Sequence, residues 1–96
     1  MKNKFTKSLS DFFSSDPIFR MWGGVAPISM GDGIRFRVTK SPRVDYVYVR
    51  YLSGFEEYEV EFAALVGAEY DVLDRIKPVS REELFSTINK NLFFNV

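Results

Sequence analysis

Apolar and polar residues alternate with a period of two along the middle of the chain, a pattern typical of half-buried strands. Ile34, Phe36 and Val38 alternate with polar residues, and residues 44–52 are rich in valine and tyrosine. Turn residues separate these segments, and Pro27 favours an edge position for the first of them. The pattern predicts strands over residues 25–30, 34–39, 44–52 and 55–66, and a short fifth strand over residues 69–73.

Helical spacing replaces this alternation at both ends of the chain, and it predicts a first helix over residues 4–14. Asp16-Pro17 starts a short second helix over residues 18–22, because aspartate caps helices and proline suits the first helical position. Ser80-Arg81-Glu82-Glu83 has the capping-box pattern, so a C-terminal helix should follow to about residue 90. The chain, 1–96, is therefore expected to form a single α+β domain, a two-layer sandwich of helices on a four- to five-stranded antiparallel meander.

Turn lengths predict how the strands pair. A four-residue loop over residues 40–43 gives the second and third strands the pairs Ile34–Val49, Arg35–Tyr48, Phe36–Val47 and Arg37–Tyr46. A two-residue loop at Ser53-Gly54 gives the third and fourth strands the pairs Val47–Val60, Val49–Tyr58, Tyr46–Glu61, Tyr48–Glu59 and Arg50–Glu57. Parity agrees across the three strands, so one face is apolar and the other polar. The polar face carries three neighbouring rows: Arg35 and Arg37, then Tyr46, Tyr48 and Arg50, then Glu57, Glu59 and Glu61.

The chain contains no histidine and no cysteine, which restricts the chemistry it can perform. A histidine base, a cysteine nucleophile and a Cys/His zinc site are all excluded. Glu69, Asp71 and Asp74 are close in sequence, but such acids are expected to be solvated rather than to hold a metal. We therefore expect no enzymatic activity, no cofactor and no metal.

Trp22, beside Gly23-Gly24, is expected to fill the core where helix meets sheet.

Charge is balanced overall, with 13 basic and 13 acidic residues, but it is divided along the chain. Residues 1–50 carry a net charge of +5 and residues 51–96 a net charge of −5. The overall balance argues against a dedicated nucleic-acid binder, whereas the division can orient a protein partner or a second copy. No apolar run is long enough for a leader or a membrane span, so a cytoplasmic location is expected.

The polar face allows several interpretations. Tyrosine and arginine are enriched at the centres of protein interfaces, so this face is our candidate partner-binding surface. Tyrosines beside arginines could instead stack the bases of a single-stranded nucleic acid, although the glutamate row would repel phosphates. A histidine-free ribonuclease using arginine, tyrosine and glutamate is a second alternative, but nothing in the sequence tunes a general base. Cross-strand pairs on a solvated sheet without any function give the same pattern.

Five short stretches resemble small uncharacterised proteins of phages and mobile elements: residues 19–24, 33–36, 47–52, 57–62 and 91–93. Those relatives tend to have Thr-Gly-Ala in place of Trp22-Gly23-Gly24 and Asp-Tyr in place of Glu57-Tyr58. The resemblance implies a phage-like accessory role, such as inhibition of a host machine, with CRISPR effectors among the targets of such proteins. We therefore expect a host protein or ribonucleoprotein complex as partner and no membrane contact, and a homodimer stays open.

Overall fold

The computed structural model describes Phe13 and residues 17–52 and 57–93. Its elements, in chain order, are α1 (Pro17–Met21), β1 (Gly24–Ser29), β2 (Gly33–Val38), β3 (Tyr46–Leu52), β4 (Glu57–Val66), β5 (Glu69–Ser80), a single turn of 3-10 helix (Arg81–Glu83) and α2 (Leu84–Phe93). The five strands form one antiparallel sheet in sequence order. The predicted α+β meander is thus confirmed, whereas the helix predicted over residues 4–14 lies outside the described residues except for Phe13.

The core lies between one face of this sheet and the helices. Alternate residues of the three central strands point into it, as the period of two requires. Phe13 and Trp22 are fully buried against the sheet, and Leu84, Ile88 and Leu92 of α2 cover it at helical spacing. The strand residues of this core are Ile34, Phe36, Val38, Val47, Val49, Tyr58, Val60, Phe62 and Val79. They include all six residues whose predicted pairs form the apolar face: Ile34, Phe36, Val47, Val49, Tyr58 and Val60.

The pairing of β2 with β3 matches the prediction at every pair. The pairing of β3 with β4 was predicted wrongly by two residues, because Leu52 pairs with Glu57 and four residues, 53–56, separate the strands. A shift of two keeps every side chain on its face, so the faces were right although the partners were wrong. The observed register brings Tyr51 against Tyr58, with ring centroids 5.8 Å apart, and places Arg50 opposite Glu59.

The edge strands show two further features. β1 is an edge strand, as Pro27 indicated, and it bulges between Val25 and Ile28, where Ala26 has a φ of 53°. β5 is twelve residues long, whereas only residues 69–73 were predicted as a strand. Two register shifts against β4 and a proline at position 78 interrupt its alternation, and an edge strand tolerates both.

The C-terminal helix begins as its sequence predicts. The Glu83 carboxylate accepts a hydrogen bond from the Ser80 amide at 3.5 Å, within a capping box that opens the 3-10 turn. The helical segment extends three residues beyond the predicted end, to Phe93. Among the described residues, no helix is long and apolar enough to cross a lipid bilayer.

Candidate functional site

The polar sheet face contains the three predicted rows on β2, β3 and β4. Across the strands, Arg35 faces Tyr48, which faces Glu61, and Arg37 faces Tyr46, which faces Ala63. The pairs predicted for the glutamates are corrected: Arg50 lies opposite Glu59, and Glu57 lies at the far end beside Leu52 and Ser80. Of the residues in these three rows, Arg37 is exposed and Glu59 is buried. The others are half-buried: Arg35, Tyr46, Tyr48, Arg50, Glu57 and Glu61. The face is therefore a packed polar layer rather than a row of solvated side chains.

Arg50 is the centre of an ion-pair network on this layer. Its Nη1 lies 2.7 Å from Glu59 Oε1 and 3.9 Å from Glu61 Oε1, and its Nε lies 3.2 Å from Asp32 Oδ2. The guanidinium also lies 4.2 Å from the centre of the Tyr48 ring. Because the Glu59 side chain is only 12% exposed, Arg50 supplies the charge that makes its burial tolerable.

Two members of the network were missed by sequence reasoning. Asp32, in the turn between β1 and β2, accepts a 2.7 Å hydrogen bond from the Tyr48 hydroxyl as well as pairing with Arg50. Arg75 of β5 lies 3.0 Å from Glu61. The pairing of Gly33 with Arg50 could have indicated Asp32, which directly precedes Gly33. Arg75 could not be found, because the predicted fifth strand ended before it.

An aromatic cluster occupies the other half of the face. The Tyr46 and Tyr70 rings meet edge to face at 4.8 Å, and the Arg35 guanidinium lies 5.8 Å from both ring centres. A hydrogen bond with Tyr46 raises the pKa of the Tyr70 hydroxyl above its ordinary value. A concave pocket of about 230 Å³ opens here, lined by Arg35, Tyr46, Tyr48, Arg50, Glu61, Ala63 and Tyr70. Tyr70 extends the candidate surface onto β5.

Arg35 and Arg37 differ from Arg50 and Arg75 in their electrostatic surroundings. Arg50 and Arg75 are paired with carboxylates, whereas no carboxylate of residues 17–52 or 57–93 lies within ion-pair distance of Arg35 or Arg37. Glu59 and Glu61, expected to repel an anionic ligand, are each paired with an arginine. The Arg35 end of the face is therefore locally positive.

The Tyr48 hydroxyl differs from an ordinary tyrosine hydroxyl in its pKa. Partial burial raises the pKa of the Tyr48 hydroxyl, the hydrogen bond to Asp32 raises it further, and Arg50 opposes both. A tyrosine with a raised pKa is a weaker general acid or nucleophile near neutral pH. Within the part of the chain that the structure describes, no three acidic side chains are grouped closely enough to hold a metal ion.

The Tyr48 environment predicts a late ionisation. The hydroxyl should titrate above its ordinary pKa of 10.0, so tyrosinate absorbance should rise late and Tyr48→Phe should remove one late step. Because the folded pKa is raised, the contribution of this group to stability is complete below pH 10 and is lost as pH rises through the folded pKa. Alkaline unfolding should therefore be shallower in Tyr48→Phe than in the wild type.

Asp32→Asn is the control for this titration, because it keeps the side-chain shape and removes the carboxylate that accepts the hydrogen bond. The Tyr48 step should then move towards lower pH. An unchanged late step in both variants would contradict the placement of the Tyr48 hydroxyl against Asp32.

The chain matches no protein-family model, no curated protein and no solved structure.

Proposed function

We propose that this protein is a non-enzymatic, cytoplasmic accessory protein that binds a host macromolecular machine through protein–protein contacts on its polar sheet face. The locally positive end of that face carries the proposal, because Arg35 and Arg37 are beside Tyr46 and lack a carboxylate among the described residues. Arginine and tyrosine in a concave, half-buried setting are the residue types that dominate binding energy at protein interfaces.

Two observations support a protein partner over the single-stranded nucleic acid alternative. The edge of one ring of the Tyr46–Tyr70 pair meets the face of the other, and Arg50 covers one face of Tyr48, so the rings are already engaged. Two uncompensated arginines neutralise about two phosphates, a small part of what non-specific nucleic-acid binding uses. The surface thus favours a compact acidic epitope over a phosphate backbone.

The ribonuclease alternative gains no support from the geometry. Arg50 is a permanent cation held by Glu59, and the Tyr48 hydroxyl is bound to Asp32 with a raised pKa. Glu61 is held by Arg75, so neither it nor Glu59 is placed as an unpaired base.

The resemblance to accessory proteins of phages suggests a host nuclease complex, such as a CRISPR effector, as the first partner to test.

Affinity capture with matched charge reversals tests this proposal. The tagged wild type and Lys77→Glu should retain the same proteins from a lysate of the host cell, while Arg37→Glu should lose them. Both positions are exposed on strands, so all three chains should have the same melting curve. A central interface arginine typically costs about 2 kcal/mol or more when removed, roughly thirtyfold in affinity.

Nuclease treatment of the lysate distinguishes the alternatives. Partners retained after treatment support protein–protein binding. Partners lost with the nucleic acid would favour the nucleic-acid alternative, and equal capture by Arg37→Glu and the wild type would place the interface outside this face.

A further inference from the structure

The hairpin formed by β4 and β5 extends beyond the rest of the sheet. The last pair between β3 and β4 is Tyr46 with Ala63, so residues 64–71 project past β3, and we call this segment the finger. Gly67 turns its tip with a φ of 64°, a conformation typical of tight hairpin turns. Residues 65–73 are all exposed, and five of them are large and apolar: Leu65, Val66, Tyr70, Val72 and Leu73. Pairing divides them between the two sides of the hairpin, with Leu65 opposite Tyr70 on one side and Val66 opposite Glu69 on the other.

The two sides of the finger differ in chemistry. Ala64 pairs with Asp71 and Val66 pairs with Glu69, and paired residues share one side of a hairpin. We call this the acidic side. It includes a concave pocket of about 210 Å³ lined by Val66, Glu69, Tyr70 and Asp71. No cation within residues 17–52 or 57–93 forms an ion pair with Glu69 or Asp71. The pocket thus contains two carboxylates with no cation partner among the described residues, which favours a basic side chain.

The opposite chemistry is present at the other edge of the same sheet. Val25 and Ile28 of β1 lie directly beside Arg37 and Arg35 of β2, on the polar face. Both aliphatic side chains are exposed, at 44% and 46%. We call these four residues the arginine patch. Each surface has two apolar residues, Val25 and Ile28 on the patch and Ala64 and Val66 on the finger. Arg35 and Arg37 on the patch are opposite in charge to Glu69 and Asp71 on the finger, and all four lack an ion-pair partner among the described residues.

A single copy cannot bring these two surfaces together. Ala64 is two residues from the core residue Phe62, so the acidic side lies on the helix side of the sheet plane. The arginine patch lies on the polar face, the opposite side. Two copies can meet, with the finger of one copy on the patch of the other.

We propose that the finger of one copy docks on the arginine patch of a second copy, with an arginine of β2 received between Glu69 and Asp71. The chain itself thus supplies a partner of opposite charge for the acidic side of its finger. The contact covers Arg35 and Arg37, so self-association competes with the proposed host partner. It does not depend on that partner, because Glu69 and Asp71 of the acidic side are outside the proposed partner-binding rows.

Sedimentation velocity over a range of concentrations and salt tests the proposal. The wild type should associate reversibly, and added salt should weaken the association because it screens exposed charges. Asp71→Arg and Arg37→Glu should each weaken association about tenfold or more through like-charge contact. The chain carrying both substitutions should regain most of the wild-type association, since each contact again joins opposite charges.

Lys77→Glu is the matched control and should associate like the wild type. A wild type that stays monomeric at every concentration would overturn the proposal, as would single variants that associate normally or a double variant that does not recover. Asp71→Arg should still capture the host partner while Arg37→Glu should not. Failure of self-association and failure of the proposed function are therefore separate results.

Discussion

Val47→Asp should unfold the protein. Val47 is fully buried at the middle of the central strand, paired with Phe36 on β2 and Phe62 on β4. A carboxyl group at this position finds no polar partner among these residues. Burying an unpaired carboxyl group costs several kcal/mol, of the order of the whole stability of a domain this size, about 5–15 kcal/mol. Far-ultraviolet circular dichroism with a thermal melt should show loss of the cooperative transition.

Val25→Asp is the control for this change. The same substitution at an edge-strand position that is 44% exposed should alter stability by about 0.5 kcal/mol or less. A Val47→Asp chain that melts with the wild type would mean that position 47 does not face the core and that the register of β3 is wrong by one residue.

The parity of the strands was predictable because each buried face repeats every second residue. Phe36, Val47 and Val60 lie in the core with either a two- or a four-residue loop after Leu52. The hydrophobic pattern therefore predicts faces but cannot distinguish registers that differ by two. The partner of Arg50 depends on that register, and its predicted pair with Glu57 was wrong while its pair with Glu59 was not foreseen.

The rest of the candidate site depends on contacts that leave no local pattern. Tyr70 reaches Tyr46 only because β4 and β5 pair around a tight turn at Gly67. Asp32 reaches Tyr48 from a turn, and this contact is indicated only once Gly33 is placed opposite Arg50. The unpaired state of Arg35 is a property of its surroundings, and it becomes visible only when the carboxylates of the face are placed.

Trp22 joins the sheet to the C-terminal helix. It follows α1, is fully buried, and stacks at 7° on the Phe36 ring with a centroid distance of 6.2 Å. Phe85 of α2 lies 5.8 Å away on the helix side. The Trp22 Nε1 donates a 3.0 Å hydrogen bond to Asn89 Oδ1, also on α2. The expectation that Trp22 fills the core where helix meets sheet is therefore confirmed.

Trp22→Ala should lower the free energy of unfolding by about 3–5 kcal/mol, because it leaves a cavity the size of an indole between the two layers. Chemical denaturation should show a lower midpoint, and α2 should lose amide-exchange protection before β3 does.

Trp22→Phe keeps most of the ring contact and removes only the N–H donor to Asn89, so its cost should be smaller. A double-mutant cycle of Trp22→Phe with Asn89→Ala should give a coupling of about 1 kcal/mol, the net value of a hydrogen bond. Additive effects in that cycle would show that the hydrogen bond contributes nothing to stability. A Trp22→Ala chain as stable as the wild type would show that other contacts hold α2 to the sheet.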